Sequence, residues 1–334
     1  MSHAYDLLTP DTILNAIDTI LVPQGKFTSG HQLALNSYEN RVYQIGIEEE
    51  GDEQPSSVIA KFYRPQRWSD ECILQEHQFT LEAKEDELPV IAPLVIDGKT
   101  LFESHGFRFA LFPKQGGQSG QIENLPDFEQ MGRLLGRLHQ TANCMESDQR
   151  PVMTPTTFAQ DSRSYLLENN FLDPEFVPAY ESVSKDLCDV LQERWDTYAP
   201  SLKLVHGDLH AGNLIWYQQQ PYMLDLDDCS LAPRIQDIWM LLHGERDQMQ
   251  AQLAAVARGY ELFLPFPAHE LPLIEVLRSM RLMHYSGWLA KRWEDPAFKM
   301  AFPWFGSPRY WSEQILNLRE QLAALQEPHL QLID

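Results

Sequence analysis

Four polar residues in one short stretch carry side chains suited to phosphoryl transfer: His206, Asp208, Asn213 and Asp225, within LVHGDLHAGNLIWYQQQPYMLDLDD, Leu204 to Asp228. Such a reaction asks for a carboxylate that positions the attacking hydroxyl. It also asks for an amide oxygen and a second carboxylate that hold Mg²⁺ on the phosphates of ATP. Asp208 is the candidate base or hydroxyl-orienting group, Asn213 a candidate metal ligand, and Asp225 both a catalytic carboxylate and the second metal ligand. The five-residue step from Asp208 to Asn213 has a physical purpose. The carboxylate must reach the hydroxyl while the amide, one loop turn later, reaches a metal near the phosphates. Asp225 beside bare phosphates would be repelled by roughly 4 kcal/mol per unit-charge pair at about 4 Å and an effective dielectric of about 20. A divalent cation reverses that sign, and hard oxygen ligands favour Mg²⁺.

Competing readings exist for each residue. Isolated Asp and Asn residues most often cap turns, and this set gains its meaning from the apolar strands that flank it. His206 reads as a catalytic imidazole or as a packed histidine that buttresses the loop. His206-Gly207-Asp208-Leu209-His210 also has the form of an H-x-D-x-H zinc cluster, which would need further ligands; His243 and the Asp227-Asp228 pair are the near candidates.

The first third of the chain offers a nucleotide-binding set. Lys61 lies in the apolar run Val58-Ile59-Ala60-Lys61-Phe62-Tyr63, where a lysine either snorkels from an edge or points into a cleft to meet phosphates. Glu76, on a following helix, can pair with its ammonium, although Glu71, Glu82 and Glu85 are nearby. No G-x-G-x-x-G precedes Lys61. Leu35-Asn36-Ser37-Tyr38-Glu39-Asn40-Arg41-Val42 stands in its place, with Ser37, Asn40 and backbone N–H groups to cover phosphates, unless it is a plain polar turn. Leu111-Phe112-Pro113 reads as the hinge, with Phe112 against the adenine.

The elements that must position these residues are readable in outline. Ile13, Leu14, Ile17 and Ile20 predict a short amphipathic helix over 11–20. Strands are expected over Asn40 to Ile47, over Val58 to Tyr63, around Val95 and over Phe107 to Phe112, with a helix over Asp70 to Glu85. EEEGDEQPSS is a charged turn. The Gly-rich segment from Gln115 to Gly120 separates this strand-rich part from a helix-rich remainder. There, helices are expected from Pro126, over Phe176 to Trp195, Ile235 to His243, Asp247 to Leu262, Ile274 to Trp293 and Tyr310 to Leu325. The expected domains are a nucleotide-binding lobe with its leading helix (1–114), a linker (115–122) and a catalytic and substrate-binding lobe (123–334).

Composition narrows the function classes. A net charge of −22 argues against nucleic-acid binding, which relies on Lys and Arg neutralising phosphates. Cys72, Cys144, Cys188 and Cys229 are scattered and read as reduced thiols of a cytosolic protein. No signal peptide and no membrane-spanning stretch are expected. A monomer is the simplest expectation, because one chain carries every part of the site.

Val205-His206-Gly207-Asp208-Leu209-His210-Ala211-Gly212-Asn213 followed by Leu224-Asp225 resembles the aminoglycoside phosphotransferase and choline kinase superfamily, whose members share the protein-kinase fold. The stretch from Leu35 to Tyr43, Ala60-Lys61-Phe62-Tyr63-Arg64-Pro65 and the 334-residue length are similar to the bacterial stress response kinase A family. The resemblance implies an α+β, bilobal protein-kinase-like fold with a small β-rich N-lobe and a larger, mainly helical C-lobe. It also implies a cytoplasmic Ser/Thr protein kinase that uses ATP and Mg²⁺ and is linked to survival under stress. Asp208 would be the proton acceptor, Asn213 and Asp225 the Mg²⁺ ligands, and Lys61 a contact to ATP phosphate. Asp237, in Gln236-Asp237-Ile238-Trp239, would brace the catalytic loop.

D-F-G is replaced by Asp225-Leu226-Asp227, and Ala232-Pro233-Arg234 begins seven residues after Asp225, which leaves no room for a long activation loop. The acceptor is less determined. Protein Ser/Thr hydroxyls are the first expectation and a small amino-alcohol or aminoglycoside-like alcohol the alternative. Tyr285, Trp288, Trp293, Trp304 and Trp311 read as core or as an aromatic pocket for a quaternary ammonium. Asp227, Asp228 and Glu245 read as an acidic groove for a basic peptide or as solvated surface. A non-catalytic nucleotide sensor is a third possibility, against which the retained Lys61, Asp208, Asn213 and Asp225 speak.

Overall fold

The computed structural model describes every residue except 1–4, 6, 36, 50, 52–55, 121, 146 and 333–334. Asn36 of the expected phosphate-covering turn, part of the charged turn after Ile47 and Gln121 of the linker therefore lie outside the described residues. The chain divides into two compact units, one of Met1–Gly120, Met145–Arg150 and Ala211–Asp227, the other of Gln121–Cys144, Pro151–His210 and Asp228–Asp334.

In the first unit, helix α1 (Pro10–Leu21) starts at Thr9, whose hydroxyl accepts from the Thr12 N–H, and its stripe of Ile13, Ala16, Ile17 and Leu21 is buried. Five antiparallel strands follow: β1 (Lys26–Leu35), β2 (Arg41–Glu49), β3 (Ser56–Phe62), β4 (Phe102–Ser104) and β5 (Phe107–Pro113), in the order β1-β2-β3-β5-β4. Helix α2 (Asp70–Glu85) lies between β3 and β4 in the chain. Residues directly opposite one another in such a sheet share a face. Ala60, Phe62, Phe109 and Leu111 form one apolar face and pack with the stripe of α1. Lys61 stands opposite Val42 and Ala110, and Ile59 opposite Phe112, so these residues share the other face. Ile73 of α2 packs there with Tyr63 and Ala110.

The polar character of α2 has a structural reason. Gln75, Glu76, His77 and Thr80 are buried in it and need partners. His77 meets Tyr63 Oη at 2.7 Å and Thr100 Oγ1 at 2.8 Å, and burial together with the Lys61 charge lowers its pKa to about 3. A histidine held neutral in the fold contributes stability that is present above its unfolded pKa of about 6.5 and is lost as pH falls toward the folded value. Thermal denaturation from pH 7 down to 4 is therefore expected to show a progressive loss that His77→Gln flattens. An equal slope in the variant would reject His77 as the origin.

A hairpin of Leu214–Tyr217 and Gln220–Met223 belongs to the same unit, with Gln118–Ser119 added as a short third strand. It is joined to the segment after α2 by backbone bonds, Ile91 N to Met223 O at 3.2 Å and Met223 N to Pro89 O at 2.9 Å.

The second unit is mainly helical: α3 (Leu125–Ala142), α4 (Asp161–Glu168), α5 (Val177–Tyr198), α6 (Ile235–Trp239), α7 (Arg246–Tyr260), α8 (Ile274–Lys291), α9 (Pro296–Ala301) and α10 (Pro308–Ala324). α3 and α7 approach closely because a side chain at Gly132 would place its Cβ 2.0 Å from Val256 O. Among the described residues, a two-stranded ladder in this unit pairs Lys203–Val205 with Ser230–Ala232. Among the described residues no helix is long and apolar enough to cross a membrane. Trp311 is fully buried and donates its indole N–H to Phe171 O, so it is core.

The mixed architecture, with a β-sheet N-terminal part and a helical C-terminal part, is the expected one; the differences are local. β1 carries no alternation, being mostly exposed and interrupted by a register shift between Thr28 and Gln32. Val95 is not in a strand, because only an isolated bridge between Ile96 and Lys99 forms there. α6 stops at Trp239, short of His243. α4 was not expected; it follows a π-helical turn, Thr156–Gln160.

Candidate active site

The residues expected to bind the nucleotide converge in the first unit. Lys61, near the end of β3, is buried, and its Nζ lies 2.8 Å from Asp225 Oδ1, 3.4 Å from Asp227 Oδ1 and 3.5 Å from Glu76 Oε1. Glu76 reaches it because α2 begins at Ser69, whose hydroxyl accepts from the Cys72 N–H, and turns Glu76 onto the sheet with Ile73. Burial disfavours the Lys61 ammonium, but Asp225, Asp227 and Glu76 overcompensate and raise its pKa well above the usual lysine value. Glu76 goes the other way for a carboxyl, lifted by burial to about 7 against the pull of Lys61.

Asp227 is a correction to the acidic-groove reading. It is buried, and ion-pairs with Arg67 as well as Lys61. Asn40 Nδ2 donates to its Oδ2 at 3.1 Å, and Arg150 Nη2 donates to its backbone carbonyl at 2.5 Å. Burial acts to raise its pKa, yet Lys61 and Arg67 hold it below the normal carboxylate range. Asn40 also accepts from the Arg64 N–H at 3.1 Å, so its side chain ties the Ser37–Asn40 turn to the metal-side loop. Ser37 is half-buried on that turn, and Phe112 packs beside Tyr63 and Ile73 on the Lys61 face, edge-on to His77.

Asn213 and Asp225 flank the open end of the hairpin, one just before its first strand and the other just after its second. Leu224 N donates to Asn213 O at 2.9 Å and closes the hairpin behind them. Asp225 adopts φ 53°, a left-handed conformation that Asp tolerates better than most residues, and its carboxylate is half exposed. An amide oxygen and an exposed carboxylate at one hairpin end are hard donors that fit Mg²⁺ completed by phosphate and water. Among the described residues no group of three or more His, Cys, Asp or Glu forms a metal cage, so the zinc reading has no geometric support.

The loop that carries Asp208 belongs to the second unit. After Lys203–Val205, the backbone turns through His206, Gly207 and Asp208 over the buried carboxylate of Asp237 on α6. Asp237 Oδ2 accepts from His206 N at 2.8 Å and from His139 Nε2 at 3.0 Å, while Oδ1 accepts from Gly207 N at 2.8 Å. Tyr260 Oη lies 2.9 Å from His139 Nδ1. A carboxylate can only accept, so Nε2 of His139 carries the proton in this bond. His206 is fully buried and buttresses the loop.

Gly207 has φ 84°, and a Cβ there would lie 2.3 Å from Asp228 O. Gly207→Ala is therefore expected to displace the loop and lower kcat at least about tenfold, with a destabilisation of about 1–3 kcal/mol. Steady-state kinetics and chemical denaturation check this; an unchanged kcat would show that the loop tolerates the shift.

The Asp208 carboxylate is held from two sides, Oδ1 by Arg281 Nη1 at 2.5 Å and Oδ2 by His210 Nε2 at 3.6 Å. Burial works to raise its pKa, but His210 and Arg281 bring it down to about 2. Ser230–Ala232 leads directly into α6, so no long loop intervenes between Asp227 and Asp237. Tyr285 and Trp288 stack at 5.7 Å, and Trp288 also packs edge-on to Phe298 and Phe302. Glu245 is spent on capping α7.

Arg67, Arg150, Arg281 and His139 were missed by sequence reasoning. Only Arg67 carried a signal, its nearness in the chain to Lys61.

A family described as "Phosphotransferase enzyme family" matches residues 31–271. "Stress response kinase A" of Shigella flexneri is 40% identical over 331 residues, covering 99% of this chain and 98% of the relative. "Serine/threonine protein kinase RdoA" of Salmonella typhimurium is 41% identical over 340 residues, covering 99% of this chain and 98% of the relative. Among solved structures, an amicoumacin kinase in complex with AMP-PNP, Ca²⁺ and its ligand shares the fold with a TM-score of 0.66 at 19% identity, covering 92% of each chain. The chain therefore belongs to the phosphotransferase enzyme family and, within it, to the stress response kinase A family.

Proposed function

We propose that this protein is an ATP- and Mg²⁺-dependent kinase that phosphorylates Ser/Thr hydroxyls of proteins in a cytoplasmic stress response. The acceptor class is taken from the relatives' names and their identity along 99% of the chain. The observation that carries the chemistry is the Lys61 cluster, in which one buried ammonium meets Glu76, Asp225 and Asp227. On this reading Lys61, steadied by Glu76, binds ATP phosphate, Ser37 and the backbone of its turn cover the phosphates, Asn40 fixes that turn, and Phe112 lies against the adenine. Asn213 and Asp225 would hold Mg²⁺, which when bound offsets phosphate charge. Asp208 orients the acceptor hydroxyl and takes its proton as transfer proceeds. Residues 1–114 would act as the nucleotide lobe, 115–122 as linker and 123–334 as the catalytic lobe, in a monomer that binds neither nucleic acid nor membrane.

A second reading, a small-alcohol kinase, draws on the fold shared with the amicoumacin kinase. Incubating the pure protein with labelled ATP, a set of Ser/Thr-containing proteins and a panel of amino-alcohols and aminoglycosides separates the two. Protein labelling that requires Asp208 is the expected result. Rapid turnover of one small alcohol with no protein labelling would overturn the first reading in favour of the second.

A further inference from the structure

The Asp237 carboxylate fixes the backbone of the loop at His206 and Gly207, but it does not touch the Asp208 side chain. His210 does, yet it lies two residues along the same loop and moves with it. Arg281 ties the Asp208 carboxylate to the helical body; it stands on α8, flanked in the sequence by the buried Met280 and Met283. These methionines lock the helix in place, so the guanidinium is presented from a rigid element rather than from a loop.

We propose that Arg281 is a positioning residue for phosphoryl transfer: from α8 it clamps Oδ1 of Asp208 and so aims the carboxylate at the acceptor hydroxyl. The inference rests on the reading above, in which Asp208 faces that hydroxyl. The side chains of Arg281 and Asp208 are 42% and 24% exposed, and a partly exposed ion pair adds only modestly to stability. Its loss should therefore register more in chemistry than in folding. The clamp also weakens Asp208 as a base, because a guanidinium on a carboxylate favours the ionised form. Among the groups that face this carboxylate are Arg281 from α8 and His210 and His206 from its own loop. An ionised, weakly basic carboxylate orients the hydroxyl early and receives its proton late, as the O–P bond forms and the bond to the leaving diphosphate breaks.

The test uses the full chain with Arg281→Met and Arg281→Lys. In nucleotide-free protein carrying ¹³C-labelled aspartate carboxyls, the Asp208 signal, assigned by its absence in Asp208→Asn, is followed against pH. In the wild type it should stay ionised down to about pH 4, whereas in Arg281→Met its midpoint should rise by about one pH unit or more. Arg281→Lys should restore most of the wild-type behaviour. In steady-state assays Arg281→Met should lower kcat by about tenfold or more with KM for ATP unchanged, and lower the thermal midpoint by no more than about 3 °C.

An Asp208 signal that titrates identically in wild type and Arg281→Met shows that the contact does not hold the carboxylate, and sinks the inference. So does a shifted titration with unchanged kcat. A wild-type enzyme that phosphorylates no acceptor at all would instead fail the broader reading, and the titration would still decide whether Arg281 holds Asp208.

Discussion

Asp208→Asn is expected to reduce kcat by roughly 10²–10⁴-fold, the range in which removal of a positioned general base normally falls. The amide keeps the shape of the side chain, and its oxygen can still accept from Arg281, so the loop should be undisturbed. What disappears is the capacity to take a proton and the second acceptor oxygen. ATP affinity should change by less than about threefold, because Lys61, Glu76, Asn213 and Asp225 are untouched. The pH dependence gives an independent check. With its pKa lowered to about 2, the Asp208 carboxylate of the free enzyme is ionised across the neutral range. Its depressed pKa contributes stability that is present above the unfolded value of about 3.9 and is lost only as pH falls toward 2. The wild-type kcat/KM should accordingly show no acid limb from Asp208 above about pH 5, so any limb observed there belongs to another group. A variant within about threefold of wild-type kcat would remove Asp208 from its assigned role.

Much of the site was legible because its members are close in sequence or sit in strongly patterned elements. Asn213 and Asp225 bracket one hairpin, and Lys61 is the one charged residue in the apolar run of β3 from Val58 to Phe62. Glu76 was harder to single out among its acidic neighbours, and only its seat on the buried side of α2 separates it from Glu71, Glu82 and Glu85. Asp227 misled, because an acid beside another acid reads as solvated surface. Its burial depends on Asn40 and Arg67, which are 187 and 160 residues away in the chain, and no local pattern announces such partners. Arg281 was invisible for the same reason.

The backbone hid more than the side chains did. The hairpin Leu214–Tyr217/Gln220–Met223 groups with the N-terminal sheet through main-chain bonds to Pro89 and Ile91, which leave no trace in side-chain character. β1 was overlooked because most of its residues face solvent on both sides of an edge strand, where the inside–outside alternation that marks a strand is lost. The helices of the second unit were easier, since one-sided burial imposes a periodicity that survives in the sequence.

Asp237→Ala is expected to be the most destabilising single change in the second unit, at about 3–5 kcal/mol. The carboxylate has no solvent exposure and satisfies the N–H groups of His206 and Gly207 together with Nε2 of His139. Each buried donor left without an acceptor costs about 1–3 kcal/mol, and alanine leaves three of them. The loss extends outward, because His139 positions the Tyr260 hydroxyl on α7. Asp237→Asn should be intermediate. Its single oxygen still accepts, but its NH₂ must face a donor that formerly met Oδ1 or Oδ2. In a thermal scan Asp237→Ala should lower Tm by about 10 °C, whereas Asp208→Asn should leave it within about 2 °C. Assayed at a temperature where it remains folded, Asp237→Ala should also lose kcat, because the N–H groups that hold the backbone immediately before Asp208 have lost their anchor. The two variants thus separate the group proposed to do the chemistry from the one that holds the loop. A Tm for Asp237→Ala indistinguishable from wild type would mean that water or a neighbouring carbonyl replaces the carboxylate, and that the loop owes its conformation to Gly207 and its contacts with Asp228 and Ser230 instead.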